Sequence, residues 1–201
     1  MLVSIKHAET DHPIHELATR RWSPYVFADR PVAREDLTAL FEAARWAASS
    51  FNEQPWSYLV ATREEPEEYE RLLSCLVEPN QAWAKAAPVL ALGVVTHRFK
   101  RNDKPNRVAT HDLGLAAGNL LLEATARELL VHQMAGILPD RARELYSIPS
   151  GSEAWTGLAI GHAGDPESAD GGLGDRDRAP RTRKPLREFV FSGRWGQAAG
   201  L

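Results

Sequence analysis

The spacing of apolar residues along the chain predicts several amphipathic helices. An early helix is expected to begin at Asp11 as its N-cap, with Pro13 in the first turn, and to end near Arg21. A polar helix is expected over residues 66–75. Another helix is expected after Pro31, where apolar side chains recur at intervals of three and four, at Leu37, Leu40, Phe41, Ala44 and Ala48.

Short apolar runs between these helices predict strands. Residues 89–95 are apolar at every position except Gly93, which is typical of a central strand buried on both faces. The Gly- and Asp-rich stretch at residues 165–179 predicts a loop. The strands are expected at residues 57–61, 89–95, 130–134, 155–162 and 189–191.

The longest predicted helix covers residues 108–130. Residues 113–122 are apolar on nearly every side of that helix, as in a helix enclosed by protein. Gly114 and Gly118 lie four apart on one face, and each costs about 1 kcal/mol relative to alanine in a helix interior. Two such glycines indicate that another backbone approaches closely, and a subunit interface is one such demand.

Length and composition restrict the classes of protein that fit these elements. A chain of 201 residues predicts a single domain over residues 1–201, with 43% hydrophobic and 25% charged residues as in an ordinary globular protein. The net charge of −3 and a pI near 6.2 favour neither nucleic acid nor an anionic membrane surface as a partner. No apolar run approaches the roughly 20 residues that a membrane-spanning helix needs.

Cysteine usage and the first residues bear on the compartment. Cys75 is the only cysteine, so no internal disulfide is expected, a catalytic thiol is not favoured, and the cytoplasm is the expected location. Charged and polar residues such as His7, Glu9 and Asp11 interrupt the first 25 positions, which disfavours a secretory signal.

Two segments carry side chains suited to a phosphate and a polyol. In RWSPYVF, at residues 21–27, Arg21 can donate two hydrogen bonds to a phosphate and Ser23 can bond a hydroxyl. In ASSFNEQPWSYLVA, at residues 48–61, hydroxyl and amide side chains cluster between a helix and a strand. Each segment alone is equally consistent with a solvated helix end or with polar groups that satisfy helix carbonyls.

Together these segments resemble the opening of the nitroreductase family, with an Arg-x-Ser turn, a helix, and a Ser-Ser-x-Asn-x-Gln-Pro-Trp loop. The resemblance extends from about Ile14 to Phe191. Residues 111–137, HDLGLAAGNLLLEATARELLVHQMAGI, resemble the long helix of the family's dimer interface and the strand end that meets the flavin. The resemblance implies an α+β fold with a mixed, mainly antiparallel central sheet flanked by helices, and a C-terminal segment that wraps around a dimer partner.

The resemblance also implies a cofactor, a partner and an activity. FMN would be bound by a homodimer, with NADH or NADPH as hydride donor and a nitroaromatic, quinone or activated alkene as acceptor in a ping-pong cycle. The implied FMN phosphate ligands are Arg21, Arg181 and Arg183, the ribityl ligands are Ser23 and Asn80, and the ring is approached by the N–H groups of Ala135 and Gly136. The same site would include Trp22, Tyr25 and Met134, and from the other subunit Ser49, Ser50 and Asn52.

Three positions depart from the family pattern. Tyr25 stands where a lysine or arginine is usual, Trp83 where some relatives have a second lysine, and Ala135 where a glutamate is frequent. These departures keep two alternatives open: a flavin-binding or flavin-processing protein without nicotinamide turnover, and a cofactor-free interaction protein. They also leave the redox potential and the electron acceptor open.

The remaining histidines and tryptophans are expected to be structural. His111 and Asp112 are adjacent on a helix, so their side chains should diverge and not act as a base and its carboxylate. His162 has no ligands at zinc spacing, and His97 and His132 are expected to be structural or near the site. Core packing is expected for three indoles, those of Trp46, Trp56 and Trp155.

Overall fold

A computed structural model describes residues 6–169 and 172–201. Within them, four strands and seven α-helices follow one another along the chain, with single 3₁₀ turns at Ser50–Asn52, Pro166–Ser168 and Leu186–Glu188. The strands are β1 (Trp56–Thr62), β2 (Val89–Thr96), β3 (Leu130–Met134) and β4 (Ser152–Gly161). The helices are α1 (Glu16–Arg20), α2 (Arg34–Arg45), α3 (Pro66–Leu73), α4 (Glu78–Ala84), α5 (Ala109–Ala126), α6 (Pro139–Tyr146) and α7 (Leu173–Arg178).

The four strands form one sheet in the order β1-β2-β4-β3, and every pairing is antiparallel. Trp56 at the start of β1 pairs with Val95 at the end of β2, and Met134 at the end of β3 pairs with Gly157 in β4. The start of β1 and the end of β3 therefore lie at the same end of the sheet, on its opposite edges. The expected mainly antiparallel sheet is confirmed, although the described strands contain no parallel pair.

Helices cover both faces of the sheet because the central strand is apolar on both. In β2, Leu90 and Leu92 face a buried cluster that includes α3 and α4, whereas Val89 and Ala91 face a second cluster that includes α2 and α5. Every residue from Val89 to Val95 is buried, as the sequence predicted. The sheet thus forms the middle layer of three.

Helix α5 has one face that the described chain leaves uncovered. Its buried residues include Leu113, Ala116 and Leu120, whereas Leu115 and Leu122 are each 40% exposed. A Cβ atom added at Gly114 or Gly118, on the same side, would meet no atom within 4 Å. The sequence predicted a helix enclosed by protein, but the described chain does not enclose α5. Its exposed side is apolar except for His111, and the two glycines leave it without protruding side chains at those positions. We call the residues of this side, His111, Gly114, Leu115, Gly118 and Leu122, the α5 stripe.

Several predicted boundaries are wrong. Asp11 is not the N-cap of the first helix, because α1 begins at Glu16 and the side chain of His15 accepts the hydrogen bond from the Leu17 N–H. The long helix ends at Ala126 instead of Leu130, and Leu130 already belongs to β3. Helix α2 ends at Arg45 and helix α3 at Leu73, before the predicted ends.

Three further expectations are wrong within the described residues. Residues 189–191 do not form a strand, since only Phe191 pairs, in an isolated bridge with Ala198. The segment 165–179 is not one loop, because it contains a 3₁₀ turn and α7, and its residues 170–171 lie outside the described chain. Trp46 and Trp155 are not in the core of the chain, being 76% and 48% exposed. No helix in the described part of the chain is long and apolar enough to cross a membrane.

Candidate functional site

A basic cavity of about 490 Å³ lies where the end of α1 meets the C-terminal segment. Its lining includes the predicted phosphate ligands, and Lys184 joins them. Glu9 and Asp11 also line it, but among the described residues neither forms a salt bridge with these cations. The structure therefore brings together Arg21, Arg181 and Arg183, which are far apart in the sequence.

The electrostatics of this cavity favour an anion. Burial lowers the pKa of Arg21, and the positive charge of Arg183 lowers it further. Burial, Arg21 and Arg183 likewise lower the pKa of Arg181. Guanidinium groups that are partly desolvated, close to one another and without a carboxylate partner fit the charge of a phosphate group. The residues present thus fit the phosphate of FMN.

The three arginines differ in how much of the side chain is free. Arg181 uses one nitrogen to donate to the carbonyl oxygens of Lys6, at 3.0 Å, and Thr19, at 2.6 Å, so it also attaches the C-terminal segment to α1. Arg21 donates a long hydrogen bond, 3.4 Å, to the Ser23 hydroxyl. Arg183 is exposed, and among the described residues it bonds only the neighbouring Thr182 carbonyl oxygen. Arg21 is thus the arginine that is both partly buried and free of carbonyl bonds.

A buried carboxylate fixes the turn that follows Arg21. Asp177 is 1% exposed and accepts hydrogen bonds from the backbone N–H groups of Tyr25, at 3.0 and 3.1 Å, and Val26, at 2.9 Å. Burial raises the pKa of Asp177, while these two N–H groups and the nearby Lys6 act in the opposite direction. Asp177 therefore connects α7 to the turn.

Lys6 binds the end of α7, the helix that carries Asp177. Lys6 is 6% exposed, and its ammonium group donates to the carbonyls of Arg176 and Ala179 and lies 5.3 Å from the ring centroid of Trp22. The ring of Trp22 is itself buried, at 8% exposure. The ring of Trp22 thus packs against Lys6 inside the chain, and the contact of residue 22 with the cofactor stays a prediction.

An aromatic cluster lies next to the turn. The ring of Tyr25 packs edge-on against Trp83, with centroids 5.1 Å apart, and against His132, at 4.6 Å. Burial lowers the pKa of His132, whose Nδ1 lies 2.8 Å from the Pro24 carbonyl oxygen. A neutral His132 that donates from Nδ1 to this carbonyl fits both observations. The guanidinium of Arg176 lies 5.1 Å from the Tyr25 centroid, so a cation is present although position 25 itself is neutral.

The end of β3 is held against α4. Asn80 donates from Nδ2 to the Gly136 carbonyl oxygen at 2.9 Å, and the Val77 N–H donates to the same oxygen at 3.1 Å. A Cβ atom at Gly136 would lie 2.5 Å from Asn80 Nδ2, so a larger residue would displace the Asn80 amide from this hydrogen bond. In the described chain the N–H groups of Ala135 and Gly136 have no backbone acceptor, and Met134 is buried just before them. Two adjacent free donors at this strand end fit the carbonyl and ring nitrogen of a flavin.

The second predicted segment forms a strained loop at the other edge of the sheet. Phe51, Asn52 and Gln54 all adopt positive φ, at 54°, 55° and 51°. Ser49 Oγ accepts the Gln54 N–H at 3.0 Å, and the Ser50 N–H donates to Asp112 at 3.0 Å. Non-glycine residues in this conformation persist only where their surroundings hold them, and they concentrate at functional sites.

The structure does not unite the two groups of predicted residues within one chain. Ser49, Ser50 and Asn52 precede β1, whereas Ala135 and Gly136 follow β3, and two strands lie between these edges. At a strand spacing of about 4.8 Å, the two edges are on the order of 14 Å apart. A single chain thus presents the two groups of predicted residues separately, at one end of its sheet.

Sequence reasoning did not find the residues that hold the site together. Lys6, Arg176 and Asp177 act on residues more than 100 positions away, and no local pattern signals such a contact. The expectation that the side chains of His111 and Asp112 diverge was also wrong, since His111 Nδ1 lies 3.4 Å from Asp112 Oδ1. Asp112 is buried and also accepts a hydrogen bond from the Ser50 N–H. No cluster able to hold a metal ion occurs among the described residues, His162 included.

The fold and this site define a class of protein: a helix-covered antiparallel sheet with a basic cavity suited to a phosphate and with free backbone donors at a strand end. Comparison with known proteins agrees with the family resemblance seen in the sequence. The chain belongs to the nitroreductase family, whose family model matches residues 18–162.

Individual relatives extend this similarity over most of the chain. A solved structure described as an oxidoreductase containing FMN is 32% identical, with a TM-score of 0.88 and coverage of 94% of this chain and 96% of that one. A nitroreductase family protein from Clostridium difficile is 25% identical, with a TM-score of 0.68 over 89% and 96% of the two chains. A candidate NADH dehydrogenase/NAD(P)H nitroreductase of Streptomyces coelicolor is 30% identical over 77% of this chain and 85% of its own length.

Proposed function

We propose that this protein is an FMN-dependent NAD(P)H oxidoreductase that works as a homodimer. The observation that carries the proposal is the cavity in which Arg21, Arg181 and Arg183 meet without a carboxylate partner. The family supports FMN as the anion, and one similar structure is described as containing FMN. The Streptomyces coelicolor relative, by its name, supports NAD(P)H as the donor.

When bound, FMN supplies the redox chemistry, taking up hydride from NAD(P)H and delivering it to an acceptor. The residues of the chain bind and orient it. Arg21, Arg181 and Arg183 would hold the phosphate, and Ser23 and Asn80 would bond the ribityl chain. The N–H groups of Ala135 and Gly136 are positioned to bond the polar edge of the ring, because the bonds from Asn80 and Val77 to the Gly136 carbonyl fix this strand end.

We propose that donor and acceptor use one open cleft in turn, as in a ping-pong cycle. The proposed acceptors are nitroaromatics, quinones and activated alkenes. Strict selection among acceptors needs precisely placed polar groups, and around the end of β3 the described side chains are mostly apolar, as at Met134, Ala135 and Trp155. We therefore expect the enzyme to reduce a broad range of electron acceptors.

The direct experiment is to purify the protein, identify the bound chromophore, and add NADH or NADPH without oxygen. The proposal expects one FMN per chain that bleaches with either donor and recovers its colour when a quinone is added. Bound FMN that no nicotinamide bleaches would instead support a flavin-binding protein without nicotinamide turnover. A colourless protein that does not take up added FMN would support a cofactor-free role.

We expect the α5 stripe to lie at the twofold interface, because it is apolar and open at Gly118. Gly118→Arg should weaken dimerisation by about 100-fold or more, since an unpaired charge in an interface costs several kcal/mol. Sedimentation equilibrium measures this change. Glu67→Arg, an exposed change on α3, is the control and should leave the dimer intact. A Gly118→Arg protein that stays fully dimeric would place the interface elsewhere.

Tyr25 provides a test of the electrostatics at the flavin. If its side chain faces the ring edge that becomes negative on reduction, Tyr25→Arg should raise the midpoint potential by tens of millivolts, since 30 mV corresponds to about 1.4 kcal/mol for two electrons. A redox titration against reference dyes measures the shift. Tyr25→Phe, which keeps the ring and its contact with Arg176, is the control and should change the potential much less. A zero or negative shift in Tyr25→Arg would mean that the residue points elsewhere.

A further inference from the structure

The turn between β2 and α5 carries a concentration of positive charge. Residues 97–107, HRFKRNDKPNR, contain five arginines and lysines and one acidic residue, Asp103. Asp103 pairs with Arg98 at 2.6 Å. Among the described residues no carboxylate forms a salt bridge with the other four cations, all of which are exposed: Lys100, Arg101, Lys104 and Arg107. In the described chain these four cations therefore have no salt-bridge partner, although the Glu53 carboxylate lies against the backbone of the turn at Lys100.

The backbone gives this turn a defined shape. Arg98 and Pro105 form a bridge, the Phe99 N–H donates to the Lys104 carbonyl oxygen at 2.9 Å, and the Asp103 N–H donates to the Phe99 carbonyl oxygen at 2.8 Å. The Lys100 N–H donates to Glu53 Oε1 at 2.7 Å. That last bond attaches the turn to the strained loop that carries Ser50 and Asn52.

An aromatic surface lies between the charges and that loop. Phe51 is 71% exposed, with φ of 54°, and the guanidinium of Arg101 lies 3.8 Å from its ring centroid. Phe99 packs edge-on against Phe51 at 5.8 Å. Arg101 makes no hydrogen bond to the described chain, so its donors are free while its position is fixed by the rings. We call Phe51, Phe99, Lys100, Arg101 and Lys104 the basic aromatic surface.

We propose that the basic aromatic surface binds the adenosine 2′-phosphate end of NADPH and thereby selects NADPH over NADH. This inference rests on the proposed function. A flat exposed ring suits adenine, and arginine and lysine suit a phosphate. Because Phe51 lies between Ser50 and Asn52, a dinucleotide whose nicotinamide reaches the flavin can extend over this surface.

The amount of charge favours NADPH in particular. The diphosphate bridge that both nicotinamides share carries about two negative charges, and a phosphate monoester adds about 1.5 to 2 more at neutral pH. Together with Arg107 of the same turn, the three cations of the basic aromatic surface exceed the charge of NADH even when the Glu53 carboxylate is counted against them. A surface that served only the shared diphosphate would need about half of them.

Binding of two small probes isolates the 2′-phosphate. Adenosine 2′,5′-bisphosphate should bind the FMN-loaded dimer about tenfold or more tightly than 5′-AMP, measured by titration calorimetry at low salt. Lys104→Ala and Lys100→Ala/Arg101→Ala should remove most of this preference. Phe51→Ala should weaken both probes, because it removes the stacking surface, and the bisphosphate somewhat more, because it also removes the ring against which Arg101 packs. Equal binding of the two probes to the wild-type protein would overturn the proposal.

Lys85→Ala is the matched control, since Lys85 is exposed and lies before β2, at the opposite end of that strand from the basic turn. It should keep the full preference for the bisphosphate. If Lys85→Ala lowers the preference as much as Lys104→Ala does, the effect is one of net charge and the proposed site is wrong.

Flavin reduction separates this inference from the proposed function. In rapid-mixing experiments, wild-type protein should be reduced by NADPH at a lower half-saturating concentration than by NADH, and Lys104→Ala should raise that concentration for NADPH much more than for NADH. If neither nicotinamide reduces the flavin, the proposed function is wrong. If both do and the variants affect them equally, the proposed function stands and the 2′-phosphate site is wrong.

Discussion

Replacing Arg21 with alanine should weaken FMN binding about tenfold to 100-fold, because a hydrogen bond to a charged group contributes about 1.5–3 kcal/mol. Arg21 is the strongest candidate among the three arginines because it is partly buried and its guanidinium bonds no carbonyl, whereas Arg181 is committed to two. Arg183→Ala should have a smaller effect, since Arg183 is exposed. Equilibrium dialysis of the FMN-free protein gives both affinities.

The same substitution should not weaken the FMN-free fold. Burial and the nearby Arg183 lower the pKa of Arg21, so in the absence of an anion its charge is unfavourable there. The alanine variant without FMN should therefore unfold at an equal or higher urea concentration, while FMN stabilises it less than it stabilises the wild type. Arg187→Ala is the control, because Arg187 is exposed and follows Arg183 closely in the sequence, and this variant should retain FMN. Unchanged FMN affinity in both the Arg21 and Arg183 variants would contradict the phosphate assignment.

The elements that sequence reasoning predicted well are those whose apolar pattern and burial agree. Residues 89–95 are apolar and form the strand that the sheet buries on both faces. The apolar spacing after Pro31 matches α2, and its buried Leu40 and Ala44 contact the sheet as that spacing requires. In these segments the local sequence and the tertiary structure favour the same conformation.

The errors occur where distant contacts determine the local structure. Asp11 and Pro13 form a good helix start, yet α1 begins at Glu16, and Thr19 near its end accepts a hydrogen bond from Arg181. Residues 189–191 have the composition of a strand but no neighbouring strand in the described chain with which to pair. Helices α4 and α6 were missed because each is short, with seven and eight residues, which is too few for an apolar periodicity to be distinguished.

The candidate site likewise contains residues that the sequence predicted and residues that it did not. Its basic and amide side chains were predicted because their chemistry is visible in short motifs, and the structure brings Arg21, Arg181 and Arg183 together. The buried support was not predicted, because Asp177 contacts the Tyr25 N–H across 152 positions. An aspartate in a Gly- and Asp-rich stretch looks like any exposed loop residue until the fold is known.

Replacing Asp177 with alanine should be the most destabilising change considered for this protein. It removes the acceptor of two backbone N–H groups, and a donor left buried without a partner costs about 1–3 kcal/mol, so the expected loss is about 3 kcal/mol or more. A domain with a total stability of about 5–15 kcal/mol would lose a large part of it. Urea unfolding at a fixed protein concentration measures the loss. Asp175→Ala, an exposed carboxylate two residues earlier, is the control and should have little effect.

Two further variants separate the hydrogen bonds of Asp177 from its charge. Asp177→Asn keeps an oxygen that can accept from the Val26 N–H but removes the negative charge near Lys6, so its stability should lie between those of the wild type and Asp177→Ala. In a Lys6→Met background, Asp177→Ala should cost less than in the wild type, because no buried ammonium is then left without a counter-charge. An equal cost in both backgrounds would mean that Asp177 acts through the Tyr25 and Val26 amides alone. A cost no larger than that of Asp175→Ala would mean that the turn beside Arg21 is held by its aromatic contacts, and that α7 is not needed to position it.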